Sequence, residues 1–168
     1  MGIKPDVCVY HALDTEVTGT DSSLVKIIIE FKWLLSNNPF MWSNDKDNAQ
    51  QIMDYVATHL SSQSRTHIYS VLLRKQTTTI LRWDRAGVII IKSIQYNASP
   101  HLVEFFHRYS CALPAMHGMD QSVSEPTLAE AVVARQVLEL DKKVQLFKLK
   151  IPRAGHASNY FITCTSTV

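Results

Sequence analysis

Five glycines, six prolines and three cysteines are spread over 168 residues, and only 19% of the chain is charged. So little glycine leaves no room for a phosphate-cradling loop of the Gly-x-Gly-x-x-Gly kind. Cys8, Cys111 and Cys164 are odd in number and lack Cys-x-x-Cys spacing, which argues against a disulfide framework and a thiolate zinc site. A reducing, intracellular compartment is the expectation. Apolar runs such as Ile27-Ile28-Ile29 and Val88-Ile89-Ile90-Ile91 fall far short of the roughly 18 to 20 residues a membrane span needs. No apolar signal core follows Met1, so no membrane partner is expected. Seventeen basic against fifteen acidic residues give a net charge of +2, and a nucleic-acid role would have to rest on a local patch.

What is present is a hydrophobic content of 46%, enough for one globular domain spanning 1–168. Val7 to Tyr10 reads as a short extended segment, and the polar stretch from His11 to Ser23 reads as a loop. Val25, Ile27, Ile29 and Phe31 alternate with Lys26, Ile28, Glu30 and Lys32, the period of a strand with one buried face and Glu30 and Lys32 together on the other. Phe31 and Ile29 are expected to be buried. Ser36 to Asn48 reads as a loop with Phe40, Met41 and Trp42 as an apolar island. Ile52, Met53, Val56, Ala57 and Leu60 recur at helical spacing, with Gln51 and Tyr55 one turn apart on the flank.

Three β-rich runs, 68–74, 77–83 and 88–93, suggest an antiparallel meander, with Asp84 to Gly87 as a turn. A helix starts at Ser99-Pro100 and ends near Leu113-Pro114; Thr127-Leu128-Ala129-Glu130 has the form of a capping box ahead of another. Residues 145–151 and 159–165 alternate like a terminal hairpin around Pro152 to Gly155. The predicted class is α+β, a mixed or antiparallel central sheet flanked by helices, with a motif-bearing core over 1–75 and the meander, two helices and hairpin over 76–168.

Chemistry concentrates in Pro5-Asp6, Glu30-Phe31-Lys32 and Gln51 to Tyr55. Two carboxylates, Asp6 and Glu30, suit Mg²⁺ or Mn²⁺ and leave positions for water and a substrate phosphate. Lys32 beside them supplies an ammonium that holds an attacking water or offsets charge in the transition state. This arrangement resembles the PD-(D/E)XK nuclease superfamily, one branch of which adds a Gln-x-x-x-Tyr motif on the next helix, matched by Gln51 and Tyr55. The resemblance implies a restriction-endonuclease-like core, with Asp6, Glu30 and Lys32 catalytic and Gln51 and Tyr55 supporting or touching phosphate. It implies metal-dependent phosphodiester hydrolysis of DNA or RNA. That superfamily's core begins with a helix ahead of the Asp strand, often carrying another acid; only five residues precede Asp6.

Arg65 and His67 are further substrate-contacting candidates, although a satisfied structural histidine is the commoner fate. Arg65, His67, Arg74, Lys75, Arg82 and Arg85 could make a basic surface but cannot all share one face. Trp33, Trp42 and Trp83 could stack on bases or simply pack. Cys8 reads as a small buried hydrophobe.

A second resemblance spans nearly the whole chain. Pro5 to Tyr10, Ile29 to Trp33, Arg65 to Ser70, Arg82 to Gly87 and Leu102 to Ser110 look like the region upstream of the kinase core in fungal-type protein kinases. It implies a regulatory or binding module beside a kinase domain that lies downstream in a longer protein. Phosphotransfer by this chain alone is not expected: there is no Asp-Phe-Gly, and His107-Arg108-Tyr109 lacks the catalytic Asp. Val88 to Lys92 reads as a buried strand ending in a solvated lysine. In a third reading, an interaction domain, the acids and Lys32 merely pair with one another.

Overall fold

A computed structural model describes residues 5–11, 21–32, 46–152 and 158–164. The expected single domain divides into two compact units, Met1–Met119 and Asp120–Val168. Eight strands and three helices are present among the described residues, confirming a mixed α+β class. The sequence boundary expected at 75/76 falls within a hairpin of one sheet.

The first unit is built on five strands in spatial order β1 (Val7–Val9), β2 (Ile27–Phe31), β3 (His67–Leu73), β4 (Thr78–Asp84) and β5 (Gly87–Ile90). β2 and β3 run parallel, with Glu30 opposite Leu72; the other pairs are antiparallel. A parallel pair needs a crossover, and helix α1 (Lys46–Ser62) lies in that connection. Its Ile52 and Val56 pack on Ile68, Leu72, Leu81 and Trp83. Helix α2 (His101–Ser110) covers the other face, where Leu102, Phe105, Phe106 and Tyr109 meet Ile27, Ile29, Val71 and Ile80. The sheet is therefore buried on both faces, which the alternation along 25–32 did not reveal.

That double burial changes individual fates. Glu30, expected on a solvated face, is 5% exposed, whereas Phe31, expected in the core, is 48% exposed at the end of its strand. The run 88–91 is an outer edge, not a buried strand: Ile89, Ile90 and Ile91 are all exposed. Trp83 packs in the core and donates its indole N–H to Ser70 Oγ at 2.8 Å, so it is not a stacking platform. The apolar island at 40–42, with Trp33, lies outside the described residues, as do most of the 11–23 loop and the hairpin tip at 153–157.

In the second unit the predicted capping box forms. Thr127 caps α3 (Leu128–Val137): Glu130 N–H donates to its hydroxyl, and Thr127 N–H donates to the Glu130 carboxylate at 2.8 Å. β7 (Leu146–Ile151) and β8 (Asn159–Cys164) pair antiparallel as expected, and a two-residue β6 (Val123–Ser124), which no alternation along the chain signals, is added to β7. Glu130 also accepts from Lys148 Nζ at 2.6 Å, tying α3 to β7. Lys148 and the cap together hold the Glu130 carboxyl down at about 2.

Candidate functional site

On β2 the period of two places Ile28, Glu30 and Lys32 toward α1 and Ile27 and Ile29 toward α2. Lys32 Nζ donates to Glu30 Oε1 at 2.7 Å and to Gln51 Oε1 at 3.2 Å. Gln51 in turn donates its amide N–H to the Tyr55 hydroxyl at 2.6 Å. Four of the sequence-selected residues thus form one connected chain running from strand to helix. Gln51 and Tyr55 can do this because residues four apart on a helix stack on one side. The Tyr55 ring is buried and its hydroxyl engaged, in place of the wet hydroxyl ordinary for a helix-flank tyrosine.

The second oxygen of Glu30, Oε2, is buried and has no hydrogen-bond partner among the described residues. A buried carboxylate oxygen without a donor is costly, so this atom has unused capacity for a cation or a water. The enclosed space lined by Glu30, Ile52, Tyr55 and Ser70 is about 10 Å³, room for one water at most.

β1 brings Asp6 to the same place. Val7 is opposite Ile29 and Cys8 opposite Ile28, so continuing that register by one residue sets Asp6 opposite Glu30. Asp6 Oδ2 accepts the Phe31 backbone N–H at 2.8 Å, while the residue itself is exposed. The strand pair therefore presents one buried and one exposed carboxylate side by side. That donor set, two oxygen acids with an unsatisfied oxygen on one, fits a hard divalent cation. Among the described residues, no group of three or more His, Cys, Asp or Glu is placed to hold a metal.

Arg65 and His67 are not part of this cluster. They lie at the opposite end of β3: Glu30 is opposite Leu72, five residues beyond His67, or about 16 Å along a strand. Arg65 is 3% exposed, donating from Nε to Gln63 Oε1 at 2.6 Å and from Nη1 to the His117 carbonyl at 2.6 Å. It clamps the segment after α2 onto the start of β3. His67 pairs its Nε2 with the Met116 carbonyl at 3.2 Å, and burial pushes its pKa down. Both are placed as structural groups, and with Arg74 also buried, the imagined basic surface is broken up.

Two buried groups with polar capacity were not marked by any motif. His59 on α1 is 1% exposed and donates Nε2–H to the Val25 carbonyl at 2.7 Å. Arg74, the residue after β3, is 8% exposed. Only their place in the fold distinguishes them from ordinary surface polar residues. The chain matches no protein-family model, no curated protein and no solved structure.

Proposed function

We propose that the first unit is a metal-dependent phosphodiesterase acting on DNA or RNA, built on a restriction-endonuclease-like core of the PD-(D/E)XK kind. The observation that carries this reading is the juxtaposition of Asp6 with the half-buried Glu30–Lys32–Gln51–Tyr55 chain, in which Glu30 Oε2 has no partner among the described residues. An antiparallel β1–β2 pair bearing the acids, followed by a helix and a parallel strand, supports it further.

Asp6 and Glu30 would hold Mg²⁺ or Mn²⁺, which when bound supplies Lewis-acid polarisation of a phosphoryl oxygen. Lys32, kept in place by Glu30 and by Gln51, donates a hydrogen bond to the water that attacks phosphorus and offsets the negative charge gathering there. Gln51 orients the lysine, and Tyr55 orients Gln51. Low dielectric around Glu30 strengthens each of these contacts relative to water.

Cleavage of single- and double-stranded DNA and RNA with Mg²⁺ or Mn²⁺ tests the proposal, with chelator and Lys32→Ala controls. Metal-dependent cleavage abolished in the variant is the expected result. No cleavage by folded protein with either metal refutes it. The same 2.7 Å Glu30–Lys32 pair favours one other reading, a non-catalytic binding module in which the two charges only satisfy each other. In that case chelators and divalent ions leave every property of the protein unchanged.

A further inference from the structure

Arg74 is a buried guanidinium with no carboxylate partner among the described residues. Its side-chain partners among the described residues are two hydroxyls, Ser93 Oγ at 3.0 Å and Thr79 Oγ1 at 3.5 Å, the second at the limit of a hydrogen bond. Arg74 Nε is buried and unpartnered, and so is the hydroxyl of Thr77, whose carbonyl accepts the Arg74 N–H at 2.8 Å. Arg65, whose Nη2 is likewise buried without a partner among the described residues, donates to an amide oxygen and a carbonyl in place of hydroxyls. A guanidinium that pairs with no carboxylate among the described residues, set among three hydroxyls of which Ser93 already donates to the Thr78 carbonyl at 3.4 Å, offers an oxyanion the spare donors of Arg74 Nε and Thr77. Of these residues Ser93 is the exposed one, while Arg74 Nε and the Thr77 hydroxyl are buried.

Its position relates it to the candidate active site. The β2–β3 register sets Phe31 opposite Leu73 and, continued by one, Lys32 opposite Arg74, so both side chains leave the sheet on the α1 face. Adjacent strands are about 4.8 Å apart, and Arg74 reaches one strand further, to Thr79 on β4. A single polynucleotide strand can therefore touch both places.

We propose that Arg74, Thr77, Thr79 and Ser93 form a phosphate-binding pocket that takes a backbone phosphate of the nucleic acid neighbouring the one attacked beside Lys32. This rests on the phosphodiesterase reading for the identity of the ligand, and on the pocket's own chemistry for the anion.

Thr77→Val is the sharpest test, because the hydroxyl it removes makes no hydrogen bond among the described residues. Replacing an unpaired buried hydroxyl with an isosteric methyl is neutral or stabilising, so the variant folds. Two measurements are made on wild type, Thr77→Val and Arg74→Gln in metal-free buffer: binding of fluorescein-labelled single strands and duplexes across a salt series, and the shift of Tm with inorganic phosphate. The pocket predicts roughly tenfold weaker oligonucleotide binding in both variants. In Arg74→Gln the slope of log K against log salt falls by about 0.7 to 0.9, one phosphate contact, and phosphate no longer raises Tm. Wild-type binding and slope in folded variants overturn the pocket while leaving the phosphodiesterase reading standing. Phosphate stabilisation lost in Thr77→Val, in a protein that binds no nucleic acid, keeps the anion pocket and removes its nucleic-acid ligand. A Thr77→Val variant that loses stability but binds like wild type shows the hydroxyl serving a structural water, and refutes the proposal.

Discussion

His59 couples the fold of the first unit to pH. Its Nε2–H is committed to the Val25 carbonyl, so Nδ1 is the unprotonated nitrogen, and that atom is buried without a partner among the described residues. Adding a proton there would create a buried donor with no acceptor among the described residues, with the positive charges of Arg65 and Lys26 acting on it. Burial first, and those charges second, press its pKa down to about 4, while the Val25 hydrogen bond opposes them. In the unfolded chain the imidazole titrates near 6.5. Above that value both states are neutral and the group is silent. As pH falls from 6.5 to 4 the unfolded chain takes up a proton that the native state refuses, so stability drops. A difference of roughly 2.5 units at 1.36 kcal/mol each sets the full loss at about 3 kcal/mol, most of it gone by pH 4.5. Urea unfolding at pH 7.5, 6.5, 5.5 and 4.5 for wild type and His59→Gln measures it, since all other titrating groups cancel in the difference. The variant starts less stable at pH 7.5, and the gap closes by about 2 to 3 kcal/mol toward pH 4.5. Parallel lines for the two proteins would refute the burial argument.

Lys32→Met removes the cation from a carboxylate whose side chain is 7% exposed, and should cost about 3 kcal/mol in metal-free buffer. Lys32→Met/Glu30→Gln should return to within about 1 kcal/mol of wild type, and non-coincidence of the two denaturation curves checks the coupling. Polar site residues are usually removable without cost to Tm; the burial of Glu30 withdraws that expectation here. Gly118 has φ +85°, and a Cβ there would sit 1.8 Å from the His67 carbonyl oxygen. Gly118→Ala should therefore destabilise by more than about 2 kcal/mol in thermal melts, because backbone, not a flexible side chain, must move. The Glu130 carboxyl should remain ionised to about pH 2 in a ¹³C NMR titration, and Lys148→Met should raise its midpoint by removing the largest of the causes that hold it down.

Local order is what the sequence determined. Helical spacing marked the segment that forms most of α1, Thr127-x-x-Glu130 marked an N-cap that forms atom for atom, and three β-rich runs marked a meander. A period of two also fixed that Glu30 and Lys32 share a face, and the four-residue spacing fixed that Gln51 reaches Tyr55. These are consequences of backbone geometry, which acts within a few residues. Which face becomes buried is decided elsewhere. The parallel β2–β3 pairing requires a crossover, α1 rides in it, and the helix then seals the face that alternation alone assigns to solvent. The same closure turns Glu30 from a solvated charge into a buried one, puts Gln51 within reach of Lys32, and sets Arg65 and Arg74 inside at opposite ends of β3. Phe31 shows the converse, since strand periodicity asks for its burial but it stands at the end of β2 and is half-exposed. Tertiary structure made those assignments because burial belongs to the pairing of distant segments, and that information is not carried by any residue's immediate neighbours.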